Sequence, residues 1–262
     1  GQLDINQYSY ALRKFMPKSA IVVPGLLNKE NIHLMGTTAL FSRGCPFSCH
    51  FCANTTKGEV NFRSPEWVKE EIEYLKREYG IEALAIKDDN SIPVNRRVAR
   101  ATLEKIAQTG IKWRGQSRAN GIDLDSVKLA KESGCVEIAV GVESVSQRSL
   151  EIVNKRIDFN EARKYLARLK QEGIDRRLLL IIGLPGEPED VADRTIDFIK
   201  ETEPSSVLLS ILCPIPGSEI YSHPERFGMK INKSIPFDKY FNLFGRFDEK
   251  EKPLMVFEYE KN

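Results

Sequence analysis

Short apolar segments alternate with longer segments of helical periodicity along most of this chain. The helical segment that follows the first apolar segment is an example. Ser64 and Pro65 suit its N-cap and its first helical position, and Val68, Ile72 and Leu75 follow at helical spacing. The apolar segments are predicted as strands, at 39–41, 83–86, 111–113, 136–140, 178–182 and 207–212. Six strand–helix units with nearly continuous apolar strands predict a parallel sheet that is covered by helices.

The predicted fold class is α/β, with a partial (β/α)6 TIM-like barrel of parallel strands, because six units are too few for the full eight-stranded barrel. A flat doubly wound sheet is the competing architecture. In either case ligands should bind at the carboxyl ends of the strands.

Three segments are expected along the chain. Residues 1–35 are predicted as a leader or linker, 36–221 as the core barrel, and 222–262 as a C-terminal extension that closes or lines the barrel. The extension is rich in aromatic residues, namely Tyr240, Phe241, Phe244 and Phe247, for which simple packing is the favoured role.

Composition narrows the function classes only modestly. The net charge of +2 is the balance of 39 basic and 37 acidic residues, so no charge excess argues for nucleic acid or an anionic membrane. The chain has no run of about 18 apolar residues and no apolar signal-peptide core, which predicts a cytoplasmic protein without a membrane partner. It begins with Gly1 rather than Met, so a tag remnant or a cut from a longer protein is expected.

Three of the five cysteines carry the most specific chemical signal. Cys45, Cys49 and Cys52 have the spacing C-x3-C-x2-C and directly follow the first predicted strand. Thiolates are soft ligands that suit iron–sulfur clusters, and clustering without a signal sequence favours metal ligation over disulfides. A cubane normally takes four protein ligands, so three would leave one iron open to a small chelating molecule.

Two other readings of these cysteines stay open. A structural zinc site needs four ligands, and His50 is the fourth candidate, although its position beside Cys49 makes simultaneous ligation awkward. A plain electron-transfer cluster would need a fourth cysteine. Cys135 and Cys213 are available, but each occupies a strand position of its own.

With the motif at 43–52 the sequence resembles the radical S-adenosylmethionine superfamily, over roughly residues 36–221. The resemblance implies that the three cysteines hold a [4Fe–4S] cluster, whose open iron is chelated by the amino and carboxylate groups of S-adenosylmethionine. One electron then breaks a sulfur–carbon bond, and a 5′-deoxyadenosyl radical abstracts hydrogen from a substrate. Phe51 matches the aromatic position before the third cysteine, a neighbourhood that the family places against the adenine.

The same resemblance implies further cofactor-binding residues at the strand ends. Asp88, Asp89 and Asn90 follow the second strand and resemble the acidic position that accepts a hydrogen bond from the methionine amino group. Asp and Asn also favour helix caps and turns, so each of the three fits that role equally well.

Glu143, at the end of the fourth strand, is implied to face the ribose or methionine part of the cofactor. Lys155 stands where a basic residue pairs with the cofactor carboxylate, and a solvated helix face is the alternative for it. Lysine replaces the more usual arginine here and loses the bidentate fork. Arg118 is a second candidate for the same carboxylate.

The reaction itself is less well defined. The segments 43–46, 134–155 and 216–219 are most similar to the cobalamin-binding branch, many of whose members methylate unactivated carbons. The D-x-H-x-x-G motif of the usual upstream cobalamin domain does not occur in these 262 residues, and residues 1–35 resemble the linker that follows such a domain.

The predicted function is therefore a radical enzyme that abstracts hydrogen from a small-molecule or peptide substrate, with C-methylation as the candidate outcome. Its cofactors would be the cluster, S-adenosylmethionine and, as a further candidate, cobalamin, with an electron donor such as flavodoxin or ferredoxin. One alternative is a methylthiotransferase acting on RNA or protein, which would need further cluster cysteines and a nucleic-acid-binding tail. The other is a non-enzymatic iron–sulfur sensor or scaffold.

Overall fold

The computed structural model describes residues 4–11, 13–54, 56–119, 122–236 and 256–260. The four aromatic residues of the predicted extension, at 240, 241, 244 and 247, lie outside the described residues, as does most of the segment around them. None of the helices in the described part is both long and apolar enough to cross a membrane.

A seven-stranded sheet forms the centre of the molecule. Its strands, in chain order, are β1 (Val23–Pro24), β2 (Met35–Ala39), β5 (Ala83–Ile86), β6 (Lys112–Arg118), β7 (Cys135–Glu143), β8 (Asp175–Ile182) and β9 (Ser206–Ile211). They are hydrogen-bonded in that same order, and every pair from β2 to β9 is parallel. The sheet curls into a half-barrel, which confirms the predicted α/β partial barrel over the flat alternative.

Helices connect successive parallel strands. The helices are α1 (Lys18–Ile21), α2 (Pro65–Tyr79), α3 (Arg96–Thr109), α4 (Leu124–Glu132), α5 (Gln147–Ile152), α6 (Phe159–Gln171), α7 (Val191–Thr202) and α8 (Glu219–Ser222). In the described part of the chain, two short antiparallel strand pairs lie outside this sheet. They are β3 (Ser42–Arg43) with β4 (Asn61–Phe62), and β10 (Met229–Ile231) with β11 (Phe257–Tyr259).

Local chemistry sets the ends of α2 as the sequence predicts. The Ser64 hydroxyl accepts a hydrogen bond from the Trp67 N–H at 3.2 Å, and Pro65 occupies the first turn. Gly80 ends the helix with a φ of 67°, a left-handed conformation that glycine adopts without a steric penalty. The helix buries Val68, Ile72 and Leu75.

Three features depart from the predicted pattern. β2 covers Met35–Ala39 and meets the predicted strand at 39–41 only at Ala39, because its residues 36–38 are glycine and threonine and carry no apolar signal. An additional strand, β1, pairs antiparallel with β2 at the edge of the sheet. β6 extends to Arg118, well beyond the predicted 111–113, because its residues 114–118 are polar or small and carry no apolar signal.

Candidate functional site

The polar residues predicted for the site lie at the carboxyl ends of the central strands. Asp88, Asp89 and Asn90 follow β5, Arg118 ends β6, and Glu143 ends β7. Because the carboxyl ends of parallel strands meet at one edge of a sheet, these side chains share one rim of the half-barrel.

The cysteine-containing segment lies between β3 and β4 and is held by backbone hydrogen bonds. The Cys45 N–H donates to the Thr56 carbonyl at 3.2 Å, and the Gly58 N–H donates to the Cys45 carbonyl at 2.8 Å. Gly44 has a φ of 108°, and a Cβ there would lie 2.1 Å from the Glu59 carbonyl oxygen. Only glycine therefore fits before the first cysteine.

All three cysteine sulfurs accept a hydrogen bond from the protein. Three donors serve them: Asn90 Nδ2 lies 3.8 Å from Cys45 Sγ, Arg118 Nη1 lies 3.2 Å from Cys49 Sγ, and the Asn54 N–H lies 3.4 Å from Cys52 Sγ. Such donors suit sulfur that carries negative charge, as a metal-bound thiolate does.

Burial raises the pKa of the Cys45 thiol, and the charges of Asp89, Cys49 and Cys52 raise it further. Metal binding reverses this tendency, because a coordinating thiol is deprotonated.

Three cysteine thiolates in one segment suit an iron–sulfur cluster, because thiolates are the soft ligands that such clusters take. Within the described ranges, no group of three His, Cys, Asp or Glu side chains is placed to hold a single metal ion. The donor set, three cysteines with a hydrogen-bond donor for each sulfur, therefore fits a [4Fe–4S] cluster.

His50 is engaged elsewhere. Its Nδ1 lies 3.0 Å from the Ile152 carbonyl oxygen, and since a carbonyl only accepts, Nδ1 carries the proton. The ring also packs edge-on against Phe227, with 5.5 Å between ring centroids. These contacts hold the imidazole at the C-terminal end of α5.

The three polar residues after β5 have different partners. Asp88 is buried and accepts hydrogen bonds of 2.7 Å from both the Phe41 N–H and the Ser42 hydroxyl. Burial raises its pKa to about 6, although these two donors act in the opposite direction. Asp89 accepts a hydrogen bond from Asn54 Nδ2 at 2.8 Å. Asp88 thus fixes the chain beside the cysteines, and Asp89 is the carboxylate nearer to solvent.

Glu143 and Lys155 form a nearly buried ion pair. Lys155 Nζ lies 2.8 Å from Glu143 Oε1, and their side chains are 8% and 13% exposed respectively. A Cβ on Gly141 would lie 2.6 Å from that carboxylate oxygen, so a larger residue there would displace the Glu143 side chain. Lys155 Nζ also lies 6.0 Å from the centroid of the Phe51 ring, which brings this predicted residue to the same place.

Arg118 contacts the cysteine segment. Its guanidinium lies over the Phe47 ring, with 4.0 Å from Cζ to the ring centroid. Sequence reasoning missed Phe47 and Asn54, since their partners are distant in the chain. Phe47 could have been found from its position inside the cysteine motif.

A fourth acidic residue, Glu187, also lies at this rim, after β8. Glu187 accepts hydrogen bonds from the Ser144 hydroxyl at 3.1 Å and from the Gly183 N–H at 2.8 Å. Burial raises the pKa of Glu187 despite these donors. It therefore ties the segment after β7 to the segment after β8.

A cavity of about 270 Å³ opens beside the cysteine segment. Its lining is largely apolar and comprises Ser42, Gly44, Pro46, Val60, Phe62, Asn90, Pro93, Val94 and Asn95. Asn90 lines the cavity and also donates a hydrogen bond to Cys45 Sγ, so the cavity lies next to the cysteine sulfurs.

Comparison with known sequences gives a consistent family. The sequence profile of the radical SAM superfamily matches residues 40–199. A protein named as an uncharacterized methyltransferase from Pyrococcus horikoshii is 33% identical over 186 residues, which cover 70% of this chain and 40% of that protein. The anaerobic magnesium-protoporphyrin IX monomethyl ester cyclase of Rubrivivax gelatinosus is 25% identical over 204 residues, covering 76% and 36%. The chain thus spans well under half the length of these relatives.

Solved structures share the fold. The radical S-adenosylmethionine methyltransferase TsrM from Kitasatospora setae, determined with cobalamin and a [4Fe–4S] cluster bound, superposes with a TM-score of 0.69 at 17% identity, covering 91% of this chain and 52% of that one. Coproporphyrinogen III oxidase from Escherichia coli gives a TM-score of 0.58 at 14% identity, covering 80% and 50%. At these identities the likeness establishes the half-barrel fold alone.

Proposed function

Because the chain belongs to the radical SAM superfamily and is an enzyme of that class, we propose that Cys45, Cys49 and Cys52 hold a [4Fe–4S] cluster used for radical C-methylation of a small-molecule or peptide substrate. The observation that carries the proposal is the donor to each of the three sulfurs, at the rim of a half-barrel. When bound, the cluster supplies the electron that cleaves S-adenosylmethionine to a 5′-deoxyadenosyl radical, which abstracts hydrogen from the substrate.

Glu143 and Lys155 are proposed to bind S-adenosylmethionine. Lys155 would take the methionine carboxylate, and Glu143 would face the ribose or methionine part. Without a ligand the two charges neutralise each other at 2.8 Å, which avoids an isolated buried charge. On binding of the cofactor, Lys155 would therefore pair with the cofactor carboxylate in place of Glu143. Phe51, near the same ammonium, would supply an apolar face for the adenine.

The methionine ammonium would be held by an acidic residue after β5. Asp89 suits this role best, because both oxygens of the Asp88 carboxylate already accept hydrogen bonds from within the chain. Asp88 would then support the site through the backbone of the cysteine segment.

Methylation and cobalamin are supported by the relatives rather than by this chain's own residues. Two relatives are named as methyltransferases, and one was determined with cobalamin bound. This chain covers 40% and 52% of the length of those two proteins, so cobalamin binding by this chain is part of the proposal. An electron donor such as flavodoxin or ferredoxin would supply the reducing equivalents.

Anaerobic reconstitution tests the proposal. The cluster is assembled with iron and sulfide, dithionite and S-adenosylmethionine are added, and 5′-deoxyadenosine and S-adenosylhomocysteine are measured. We expect 5′-deoxyadenosine, with S-adenosylhomocysteine forming only when cobalamin is added. A complete cluster without any 5′-deoxyadenosine would contradict the radical reaction and favour an iron–sulfur sensor or scaffold.

Two cysteine variants sharpen this test. Cys49→Ala should abolish cluster assembly, since it removes one of three ligands. Cys135→Ala is the matched control, because Cys135 is also buried, lies in β7, and has its Sγ 3.7 Å from the Glu137 carbonyl oxygen. That variant should load a full cluster. Equal iron content in the two variants would disprove the ligand assignment.

A further inference from the structure

Two side chains link the carboxyl ends of β5 and β6 to the cysteine sulfurs. Asn90 Nδ2 lies 3.8 Å from Cys45 Sγ, and its Oδ1 accepts a hydrogen bond from the Arg118 N–H at 3.2 Å. The second bond fixes the orientation of the amide, because only the oxygen accepts from a backbone N–H. The NH2 group must therefore face the sulfur.

Arg118 brings a permanent positive charge to the neighbouring sulfur. Its side chain is buried, and Nη1 lies 3.2 Å from Cys49 Sγ. Nη2 donates to the Arg156 carbonyl at 3.3 Å, and the Phe47 ring covers the guanidinium face at 4.0 Å. These contacts fix the guanidinium in place, so its charge acts on the sulfur from a constant distance.

We propose that Asn90 and Arg118 are positioning residues that set the reduction potential of the cluster through the sulfurs of Cys45 and Cys49, an inference that rests on the proposed cluster. The electron balance makes the direction clear. A 2+ core with three thiolates carries a net charge of −1, and uptake of one electron from a low-potential donor such as dithionite makes it −2. A buried cation and an oriented amide dipole both stabilise the added negative charge and therefore raise the potential.

A role in setting the potential can be distinguished from direct binding of S-adenosylmethionine, because the two roles predict different reduction potentials for the cofactor-free cluster. A residue that only binds the cofactor carboxylate changes the affinity for S-adenosylmethionine and leaves the potential of the cofactor-free cluster unchanged. A residue that acts on the sulfurs changes that potential in the absence of any ligand.

The experiment is a mediated redox titration of the reconstituted protein without S-adenosylmethionine, followed by electron paramagnetic resonance. In Arg118→Met the ratio of reduced to oxidised cluster at a given potential should fall about tenfold, which for a one-electron couple is a midpoint about 59 mV more negative. Arg118→Lys keeps the charge but loses the planar fork, so its shift should be smaller. Asn90→Leu should shift the potential in the same direction by less than Arg118→Met.

Arg114→Met is the matched control. Arg114 lies on the same strand as Arg118, four positions towards its amino end, and its Nη1 lies 3.7 Å from Glu137 Oε1. The substitution also removes one partly buried arginine charge, but it does so away from the cysteines. The midpoint potential of this variant should equal that of the wild-type protein.

Each outcome decides something. Unchanged potentials in Arg118→Met and Asn90→Leu, with full iron and sulfide content, would overturn the inference. If Arg118→Met fails to hold a cluster, unchanged potentials in Arg118→Lys and Asn90→Leu would also overturn the inference. A wild-type protein that assembles no cluster would instead refute the proposed function. A wild-type protein that forms 5′-deoxyadenosine, with variants of unchanged potential, would refute only the tuning role.

Discussion

At the scale of single residues, Glu143 shows how backbone strain and charge combine at the rim. Its φ of 71° lies in the left-handed region, which a residue with a side chain occupies at a cost of roughly 1–3 kcal/mol. The pairing of β7 with β8 shifts register between Gly141 and Glu143. Strain and shift together end the strand with its carboxylate at Lys155, where the ion pair offsets the unfavourable conformation.

Substitution of Lys155 tests how much the Glu143–Lys155 pair contributes to the free energy of unfolding. Lys155→Met keeps the length of the side chain but leaves the Glu143 carboxylate almost buried without its cation. We expect the free energy of unfolding to fall by about 3 kcal/mol, the usual cost of breaking a buried pair by deleting one partner. Urea unfolding of the cluster-free protein, monitored by circular dichroism, measures it.

Lys170→Met is the appropriate comparison for that measurement. Lys170 and Glu203 also form a lysine–glutamate pair, but both side chains are more than half exposed. Solvent screens such pairs, so this variant should not measurably change the free energy of unfolding. Equal losses in the two variants would mean that burial of the Glu143–Lys155 pair contributes nothing.

At the scale of elements, α2 shows where sequence reasoning succeeds and where it fails. Spacing and capping predicted the helix and its ends, because these are local properties of residues 64–80. The same pattern gave no sign that Glu71 would be buried on this helix. Its carboxylate lies 4.0 Å from Arg13, a residue of the leader that folds back across β2 and donates to Thr37 Oγ1. Only the tertiary structure brings them together.

The candidate site divides in the same way. The sequence selects the cysteines on their spacing and Glu143 and Lys155 on the family motif, and their binding roles stay predictions. The hydrogen-bond partners of Asn90 and Arg118 could not be predicted, since these bonds to sulfur join elements separated by tens of residues. A sequence pattern identifies which groups are present, whereas the packing of strand ends decides which of them touch.

Glu71 makes the stability of α2 dependent on pH. Burial raises its pKa from 4.5 to about 7; Arg13 and Arg63 oppose this shift, and Asp88 adds to it. Between these two values the unfolded chain is ionised while the folded chain still holds the proton. The contribution of Glu71 to stability therefore falls as pH rises from about 4.5 to about 7 and is constant above that.

Glu71→Gln should remove this dependence. Relative to the wild type, we expect the variant to gain stability steadily between pH 5 and pH 7, as measured by urea unfolding at several pH values. Glu73→Gln, on the exposed side of the same helix and 3.7 Å from Lys69, should run parallel to the wild type. A Glu71→Gln curve that also stays parallel would show that the carboxyl titrates normally in the folded state.

At the scale of the whole molecule, the cysteine segment is a junction between parts that are distant in sequence. The His50 N–H donates to the Val153 carbonyl at 2.9 Å, and the His50 carbonyl accepts from the Ile220 N–H at 3.1 Å. Asn154 Nδ2 donates to the Ser48 carbonyl at 3.1 Å. The segment therefore joins the ends of α5 and α8 as well as β6, and whatever fixes it should also fix them.

Cluster assembly should then protect more than its own ligands. Binding that fixes 44–57 stabilises the hydrogen bonds these residues make, so amide hydrogen exchange should slow at 153–156 and 219–222 as well as in the cysteine segment. α3, at the outer layer, should exchange at the same rate with and without the cluster. Cys135→Ala should reproduce the pattern and Cys49→Ala should show none of it. Slower exchange restricted to 44–57 would mean that the cysteine segment moves independently of α5 and α8. The hydrogen bonds of His50 and Asn154 would then not couple the cluster to the rest of the half-barrel.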